Sequence, residues 1–476
     1  MSVLWTADAL ASAMGARVSG TPAHDLRGVS IDSRTVAPGE AFFAIKGDRV
    51  DGHDYVTKAL ARGAGVAVIA GERLAAMPTG APLMIVRDVL EALRAAARAA
   101  RARSAGKVIA VTGSAGKTGT KDALRLVLTR GGETHASVAS FNNHWGVPLS
   151  LSRLPASARF GVFELGMNHA GEIEPLVRLV RPHVAIITTI EAVHLEYFSG
   201  IEAIADAKAE IFLGLEPGGA AVLPRDNGQF ARLAESARRA RVARVVSFGE
   251  HQDADARLID TGLKSDCSTV RANILGDEVT YKVGVPGKHL VMNSLAVLAA
   301  ARLAGADLAL AALALGELEP PAGRGRRQTL DVAGGQALLI DESYNANPAS
   351  VRAALEVLAQ APLGSRGRRI AVLGDMLELG SDAAALHRAL AEAIAAANVD
   401  TVYCAGPLMR ELWDALPAAL RGGYADSAEQ LEPEVLAAVR AGDAIMVKGS
   451  NGSRMGPIVK ALSERFRAPS AADTAV

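Results

Sequence analysis

The segment KVIAVTGSAGKTGTK, residues 107–121, constrains this chain more than any other part of its 476-residue sequence. Its apolar residues 108–111 predict a buried β-strand, and the small residues 112–116 predict a tight loop. A helical pattern begins directly after this loop. A strand, a glycine-containing loop and a helix N-terminus together form a cradle for phosphate, because backbone N–H groups and the helix dipole face the anion.

The loop differs from the usual phosphate-binding spacing in one respect, since Val111 stands where the first glycine is expected. A shortened G-x-x-G-K-T remains. Gly113 and Gly116 leave room for close approach of the phosphate. Lys117 is expected along the β- and γ-phosphates, and the Thr118 hydroxyl is expected on Mg²⁺. The alternative is a glycine-rich turn that only caps an ordinary helix.

The composition excludes several classes of protein. Lys and Arg together number 51, as do Asp and Glu, so no net field attracts nucleic acid or a membrane surface. Two cysteines, Cys267 and Cys404, are too few for a disulfide framework or a structural zinc site, and they indicate reduced thiols. We see no early apolar run of the signal-peptide type and none of about 18 residues, so we expect a cytoplasmic protein without membrane insertion.

The hydrophobic periodicity predicts an α/β fold with three units, which we place at residues 1–104, 105–318 and 319–476. In the second and third units, strands alternate with helices, which is typical of parallel sheets covered on both faces. Strand patterns at residues 245–285 predict an antiparallel extension of the second unit. A linker before the third unit is marked by Pro320, Pro321, Gly323 and Gly325.

Polar residues just beyond strand ends are further candidates, because ligands of open α/β sheets lie outside the carboxyl ends of the strands. Glu164 ends one strand and can reach a nucleotide-bound Mg²⁺, although a solvated strand-end acid is the alternative. His194 follows a later strand, where a structural histidine is equally compatible with the pattern. Asp341 and Tyr344 follow a strand of the third unit, and their position favours ligand groups over a helix cap.

Three further features leave their roles open. Lys208 has an acidic residue two positions away on either side, which suits a charged helix face. A lysine whose pKa is lowered by burial could instead add CO₂ and form a metal-binding carbamate. Asn293 on an apolar helix needs a partner, either an adenine edge or another helix. The linker arginines could bind phosphates in a bidentate manner, or they could only keep a hinge exposed to solvent. They are Arg324, Arg326 and Arg327.

The order of the motifs resembles the ATP-dependent Mur ligases, which build the cytoplasmic precursor of peptidoglycan. The resemblance spans almost the whole chain and rests on IDSRTVAPGEAFFAIKGDRVDGHDYV, TGSAGKTGTK, FNNHWGVPLSL, ELGMNHAGEI, EAVHLEYF, ADAKAEIF, DESYNANPAS and GDMLELG. It implies a UDP-sugar domain at 1–104, a central parallel-sheet ATPase domain with the phosphate loop at 105–318, and a Rossmann-like dipeptide- and nucleotide-binding domain at 319–476. The last two motifs indicate the branch that adds D-alanyl-D-alanine to UDP-N-acetylmuramoyl-tripeptide.

The resemblance also implies roles for individual residues. The ATP contacts would be Gly113, Ser114, Ala115, Gly116, Lys117, Thr118, Gly119, Asn293, Arg326, Asp341, Tyr344 and Asn345. The magnesium ligands would be Thr118, Glu164, His194 and Lys208, with a carbamate possible on Lys208, and the catalytic residues Lys117, Lys208 and His194. The substrate contacts would be Ser33, Arg34, Lys46, Asn142, Asn143, Asp375 and Glu378.

The implied chemistry begins with attack of the tripeptide carboxylate on the γ-phosphate of ATP, and the dipeptide amine then attacks the acyl phosphate. Exclusion of water would require domain closure, with hinges near residues 104–106 and 318–325. Another Mur ligase or a folylpolyglutamate-type ligase, a nucleotide switch and an inactive relative are the alternatives. The N-K-x-D string of guanine-nucleotide switches is not found. We expect a monomer, and the third residue of the tripeptide, diaminopimelate or lysine, stays open.

Overall fold

The structure is a computed structural model that describes residues 3–47, 50–138, 140–193 and 195–467. His194, a predicted catalytic residue and metal ligand, lies outside the described residues. The fold is α/β, as the periodicity predicts, with three larger sheets in chain order and a small two-stranded pair. Within the described ranges, no helix combines the length and apolarity needed to cross a bilayer.

The N-terminal part contains a five-stranded sheet of order β2-β7-β6-β5-β4, in which only β2 is antiparallel, and an antiparallel pair of β1 and β3. Its elements are β1 (Trp5–Thr6), α1 (Ala7–Met14), β2 (Arg17–Ser19), β3 (Asp25–Leu26), β4 (Gly28–Ser30), β5 (Glu40–Phe43), α2 (Val56–Ala61), β6 (Val66–Ala70), β7 (Leu83–Val86) and α3 (Val89–Arg103). The carboxylate of Asp88 caps α3 by accepting a hydrogen bond from the Glu91 N–H.

The central part contains a nine-stranded sheet of order β16-β15-β14-β13-β12-β11-β8-β10-β9. Its elements are β8 (Lys107–Thr112), α4 (Lys117–Thr129), β9 (Thr134–Ala136), α5 (Gly146–Ser152), β10 (Phe160–Glu164), α6 (Ile173–Val180), β11 (Val184–Ile187), α7 (Ile201–Ala209), β12 (Ala220–Pro224), α8 (Phe230–Arg239), β13 (Arg244–Gly249), β14 (Ala256–Leu263), β15 (Ser268–Ile274), β16 (Asp277–Val283), α9 (Lys288–Leu303) and α10 (Leu308–Ala314).

Strands β8 to β14 of this sheet are parallel, and β15 pairs antiparallel with both of its neighbours, β14 and β16. The antiparallel extension is therefore shorter than predicted, because β13 belongs to the parallel part. Strand β8 lies between β11 and β10 and is buried on both faces, with Ile109 and Val111 in one apolar cluster and Val108 and Ala110 in the other. This double burial explains the continuous apolar run of the strand.

The C-terminal part contains a six-stranded sheet of order β17-β18-β22-β19-β20-β21, in which only β17 is antiparallel. Its elements are β17 (Arg326–Val332), β18 (Gly335–Glu342), α11 (Pro348–Ala359), β19 (Arg369–Gly374), α12 (Ala383–Arg388), α13 (Leu390–Ala396), β20 (Thr401–Ala405), α14 (Arg410–Ala415), β21 (Arg421–Ala425), α15 (Ala428–Ala438), β22 (Ala444–Lys448) and α16 (Gly456–Arg465). Asn347 and Ser350 form a capping box at the start of α11.

A buried histidine makes the C-terminal part sensitive to acid. The Nε2 atom of His387 accepts a hydrogen bond from the Met376 N–H at 2.9 Å, and its Nδ1 donates to the Ala383 carbonyl at 2.6 Å. Only the neutral ring can accept the hydrogen bond from the Met376 N–H, because a protonated Nε2 has no free lone pair, and burial lowers the pKa of His387. The unfolded chain takes up a proton at about pH 6.5, so the stabilisation is complete above that pH and is lost as the pH falls towards the lower folded pKa.

We therefore expect the melting temperature to fall as the pH is lowered from about 7 to about 5, and to fall less steeply for His387→Gln, which cannot take up this proton. Thermal melting of both proteins across this range is the measurement. The other histidines are common to both proteins, so the difference in slope reports His387. Equal slopes would contradict the assignment.

Candidate active site between the central and C-terminal domains

The carboxyl ends of strands from two sheets open into one cavity of about 890 Å³. Its walls come from the phosphate loop, helix α9, the linker at residues 318–325, and the loops that follow β18, β19 and β22. A second cavity, of about 760 Å³, lies against α3 and α6 and shares Asn142 and Asn168 with the first. The two cavities therefore meet at the end of β10.

The phosphate loop, residues 113–116, joins β8 to α4 as the sequence predicts. Gly113 has a φ of 147°, and a Cβ there would lie 1.9 Å from the Thr188 hydroxyl oxygen. Gly116 has a φ of 79°, and a Cβ there would lie 2.6 Å from the side-chain nitrogen of Asn293. Both positions accept only glycine, because a side chain would be strained and would clash. Asn293 consequently lies directly against the phosphate loop.

A second loop, which follows β11, holds the phosphate loop in place. The Ser114 N–H donates to the Thr189 carbonyl at 2.9 Å, and the Glu191 N–H donates to the Ser114 hydroxyl at 2.9 Å. The Thr188 hydroxyl donates to the carbonyl of Ala115 at 2.5 Å. These bonds join the two loops, and the last of them satisfies the Ala115 carbonyl of the phosphate loop, which suits a site for an anion.

The side chains of Thr118 and Glu164 lie together at the floor of the cavity. Thr118 Oγ1 donates to Glu164 Oε2 at 2.8 Å, and Asn142 Nδ2 donates to Glu164 Oε1 at 2.7 Å. Glu164 is 1% exposed. The alternative of a solvated strand-end acid is therefore wrong for the structure, and both oxygens of this carboxylate are oriented by neutral donors.

The donor set fits a magnesium ion that arrives with a nucleotide. Among the described residues, no group of three or more His, Cys, Asp or Glu side chains could hold a metal alone. Mg²⁺ commonly takes one or two carboxylates, with phosphate oxygens and waters completing its coordination. The hydroxyl of Thr118 and the carboxylate of Glu164 supply the protein share of such a site.

Lys117 lies at the N-terminus of α4, where its ammonium donates to the Gly113 carbonyl at 2.7 Å. Burial lowers the pKa of Lys117, the Glu164 carboxylate opposes that shift, and Arg324 adds to it. The charges of Glu164 and Arg324 therefore both act on this lysine. Its position at the loop suits contact with a terminal phosphate.

Lys208 lies on α7 and is 2% exposed. Burial lowers the pKa of Lys208 well below its usual range, and the nearby charge of Lys117 lowers it further. No hydrogen bond or ion pair joins Lys208 to another described residue. The neighbouring acids have other partners, since Asp206 pairs with Arg232 and Glu210 accepts backbone N–H groups at the start of α6. Lys208 is thus a buried amine, and the charged-face alternative does not describe it.

The linker arginine that reaches the cavity is Arg324. Its Nη2 donates to the Ser140 hydroxyl at 3.3 Å, and its guanidinium lies 4.2 Å from the ring centre of Tyr344. Arg326, favoured by the sequence interpretation, is exposed on β17 and does not line the cavity. The contact of Arg326 with ATP stays a prediction, and the exposed position of this residue on β17 does not support it. The sequence signal that distinguishes Arg324 is its position within the linker, because Arg326 already belongs to β17.

The loop after β18 borders the cavity through Tyr344 and Asn345. The Asn345 carbonyl accepts a hydrogen bond at 3.0 Å from Lys448, whose side chain is 2% exposed. Asp341 Oδ2 accepts a hydrogen bond from the Gly323 N–H at 2.8 Å. The structure thus gives Asp341 a role in fixing the linker, and its predicted contact with ATP stays a prediction.

Comparison with known proteins agrees with this geometry. Three family models match the chain, described as the Mur ligase middle domain at residues 111–301, the Mur ligase glutamate ligase domain at 325–451 and the Mur ligase family catalytic domain at 25–112. The UDP-N-acetylmuramoyl-tripeptide–D-alanyl-D-alanine ligase of Rickettsia prowazekii is 31% identical over 96% of this chain and 99% of that protein. The enzyme of the same name from Escherichia coli is 34% identical over 92% of this chain and 94% of that protein.

This chain belongs to the Mur ligase family. Among solved structures, MurF from Acinetobacter baumannii is similar with a TM-score of 0.82 and 30% identity, over 97% of this chain and 99% of that one. MurF from Thermotoga maritima in complex with ADP is similar with a TM-score of 0.75 and 25% identity, over 92% and 98% of the two chains. The predicted α/β fold with the three-domain Mur ligase architecture is therefore confirmed.

The C-terminal domain of this Mur ligase also contacts the central domain through the GDMLELG loop. Glu378 lines the cavity, and a Cβ on Gly380 would lie 3.2 Å from the backbone of Glu196. Asp375 behaves differently, because its buried carboxylate accepts the Met409 N–H at 2.8 Å and does not line the cavity. Burial raises the pKa of Asp375. The structure gives Asp375 a capping role, and its substrate contact stays a prediction.

The N-terminal candidates of the Mur ligase lie apart from both cavities. Ser33 is buried, and Arg34 is exposed and makes an ion pair of 2.7 Å with Asp32. Lys46 is exposed, and the glycine after it lies against the ring of Trp145, which a Cβ there would meet at 2.8 Å. The loop that carries Lys46 therefore contacts the central domain. The structure does not bring Ser33 and Arg34 to the phosphate loop.

The two asparagines of FNNHWG occupy the junction of the cavities. Asn142 lines both cavities and holds Glu164, and Asn143 lines the second cavity. Asn143 Oδ1 also accepts the Gly146 N–H at 2.9 Å at the start of α5. Sequence reasoning alone missed the link from Asn142 to the carboxylate, because the two residues are far apart in the chain and meet only when β10 pairs beside β8.

Proposed function

We propose that this Mur ligase joins D-alanyl-D-alanine to UDP-N-acetylmuramoyl-tripeptide, with conversion of ATP to ADP and phosphate, and so forms UDP-N-acetylmuramoyl-pentapeptide. The observation that carries the proposal is one cavity shared by the phosphate loop and the C-terminal DESYNANP and GDMLELG loops. Relatives that bear this enzyme name match at least 92% of the chain. The site and the family therefore point to the same ATP-dependent ligation.

The first step is activation of the tripeptide carboxylate, which is otherwise a poor electrophile. A carboxylate oxygen attacks the γ-phosphorus of ATP, the bond to the β,γ-bridging oxygen breaks, and an acyl phosphate and ADP form. Positioning and electrostatics supply most of the catalysis of such a transfer. In the proposed site, Lys117 and Arg324 face the phosphoryl oxygens with positive charge, and the backbone N–H groups of the phosphate loop bind the phosphates.

The second step forms the peptide bond. The neutral amine of the dipeptide attacks the acyl carbon, the nitrogen of the tetrahedral intermediate releases a proton, and the intermediate collapses to the amide with loss of phosphate. Water would destroy the acyl phosphate, so the cavity must be closed during the step. The GDMLELG loop already contacts the loop that carries Glu196, and this contact supports closure by the C-terminal domain.

Magnesium, when bound with ATP, offsets phosphate charge and lowers the barrier to transfer. We propose that Thr118 and Glu164 hold it, together with His194 and a carbamate on Lys208. A neutral amine is the form that adds CO₂, and the lowered pKa of Lys208 favours that form. The absence of any described partner leaves the Lys208 amine free for this modification.

We place the acidic UDP-sugar peptide in the second cavity and its junction with the first. That cavity is lined by Arg94, Arg98 and Arg178 together with Asn143, and it leads to the end of β10. Ser33, Arg34 and Lys46 remain proposed contacts of the uridine end in a domain of residues 1–104. The other proposed domains are 105–318 for ATP and 319–476 for the dipeptide. We further propose that the protein acts as a cytoplasmic monomer.

Ligation itself is the decisive test. With ATP, Mg²⁺ and D-alanyl-D-alanine, the purified protein should convert UDP-N-acetylmuramoyl-tripeptide to a product whose mass equals that of the pentapeptide, with release of phosphate. Diaminopimelate- and lysine-containing tripeptides should both be tried, and single amino acids in place of the dipeptide are the matched control. Phosphate release with a single amino acid but not with the dipeptide would refute the proposed substrate.

A further inference from the structure

Lys121 is a buried lysine beside the phosphate loop, and the proposed reaction gives it no role. It lies on α4 one helical turn after Lys117, and its side chain is 2% exposed. Its ammonium donates to the Ser137 carbonyl at 2.9 Å and lies 3.1 Å from Asp122 Oδ1. Removal of an ammonium from water is unfavourable unless its partners compensate for it. A purely packing role would be filled better by an apolar side chain.

The carbonyl that Lys121 binds begins a loop that we call the asparagine loop, residues 137–143, of which 139 lies outside the described residues. The loop connects β9 to α5. At its start, the Ser137 N–H donates to the Val162 carbonyl at 3.1 Å. At its end, the Asn142 carbonyl accepts the Gly166 N–H at 2.8 Å. Lys121 thus supplies one of the bonds that fix the first residue of the loop.

Two side chains of the asparagine loop contact the proposed magnesium ligands. Asn142 donates to Glu164 Oε1 at 2.7 Å, and the Ser140 hydroxyl lies 3.2 Å from Thr118 Oγ1. Ser140 also accepts the hydrogen bond from Arg324. Partners that orient the ligands of a metal commonly change its affinity by about 10–100-fold when they are removed. The position of this loop therefore bears on metal binding.

We propose that Lys121 is a positioning residue for the magnesium–nucleotide site, acting through the asparagine loop. Its ammonium holds the Ser137 carbonyl, and the loop then presents Ser140 and Asn142 to the hydroxyl of Thr118 and the carboxylate of Glu164. Lys121 itself needs no contact with ATP. The inference rests on the proposed function only in its use of Thr118 and Glu164 as the ligands that meet nucleotide-bound magnesium.

The test is Lys121→Met, which keeps the length of the side chain and removes the donor. The Mg²⁺ concentration that half-saturates binding of ADP should rise by about 10-fold. Hydrogen exchange of residues 137–143 in the protein without ligands should become faster. Lys121→Arg keeps a donor at this position and should restore most of both properties. Unchanged magnesium dependence and unchanged exchange in a folded Lys121→Met protein would overturn the proposal.

The matched control is Arg101→Met, because Arg101 is also buried and donates to backbone carbonyls, those of Val180 and Arg181. It should lower the melting temperature without a change in magnesium dependence. If Lys121→Met does not fold, Ser140→Ala removes the contact of the loop with Thr118, and unchanged magnesium dependence there would equally overturn the proposal. A wild-type chain that binds ADP with Mg²⁺ but makes no pentapeptide would refute the proposed function and leave this inference standing.

Discussion

Replacement of Lys117 by methionine should reduce kcat for ligation by about 10²–10³-fold, the usual effect of removing one charge-stabilising donor from a transition state. The ammonium lies at the N-terminus of α4, beside the Gly113 carbonyl and within the field of Glu164. Methionine keeps the length of the side chain and removes the charge. The loss should therefore appear in formation of the acyl phosphate, with a smaller loss in binding of ADP. Steady-state phosphate release and ADP titration measure the two effects.

The matched control is Lys107→Met, the same substitution at the exposed start of the strand that leads into the loop. This protein should keep wild-type turnover. A Lys117→Met protein that retains more than about one tenth of wild-type turnover would show that this lysine does not stabilise the transferred phosphoryl group.

Replacement of Lys208 by alanine should reduce the rate of ligation by about 10²–10³-fold, because a ligand of the proposed metal site disappears. The side chain is buried and has no partner among the residues that the structure describes. A short carboxylic acid such as acetate should restore part of the activity of the alanine variant, since it supplies the missing oxygens. Ligation assays with increasing acetate concentration measure the rescue.

Lys208→Met is the control for loss of volume. It should be as inactive as the alanine variant but should show no rescue, because methionine fills the space that acetate needs. The wild-type protein exchanged with ¹³C-labelled bicarbonate should show a carbamate carbon by NMR, and both variants should lack it. Full ligase activity of Lys208→Ala would refute the carbamate.

The sequence allowed prediction of those features that depend on short segments of chain. The phosphate loop follows from one run of residues, and the structure has β8, the loop and α4 in the predicted places. The parallel sheets followed from alternation of apolar strands with helices, a pattern that reports burial on both faces.

The sequence could not predict which polar side chains meet across the fold. Asp341 lies near the end of β18 and Asp375 directly follows β19, as ligands do, yet their carboxylates accept backbone N–H groups of neighbouring loops. An acidic residue at the end of a strand can either bind a ligand or accept backbone N–H groups. Only the position of the neighbouring loop determines which of the two it does. Likewise, Arg324 and Arg326 are two residues apart, and the start of β17 directs one to the cavity and the other to solvent.

In the proposed site, the contacts of Arg324 would couple the orientation of the C-terminal domain to the charge of the bound nucleotide. The arginine lies in the linker, stacks on Tyr344 of the C-terminal domain, and donates to Ser140 beside the phosphate loop. In the proposed site, loss of the γ-phosphate would change the charge that this guanidinium faces, and so would change which domain orientation is favoured. Thermodynamic reciprocity then requires that any force that turns the C-terminal domain changes the preference for ATP over ADP by the same factor. A dipeptide that draws the domain inward would thereby select the nucleotide that is still able to react.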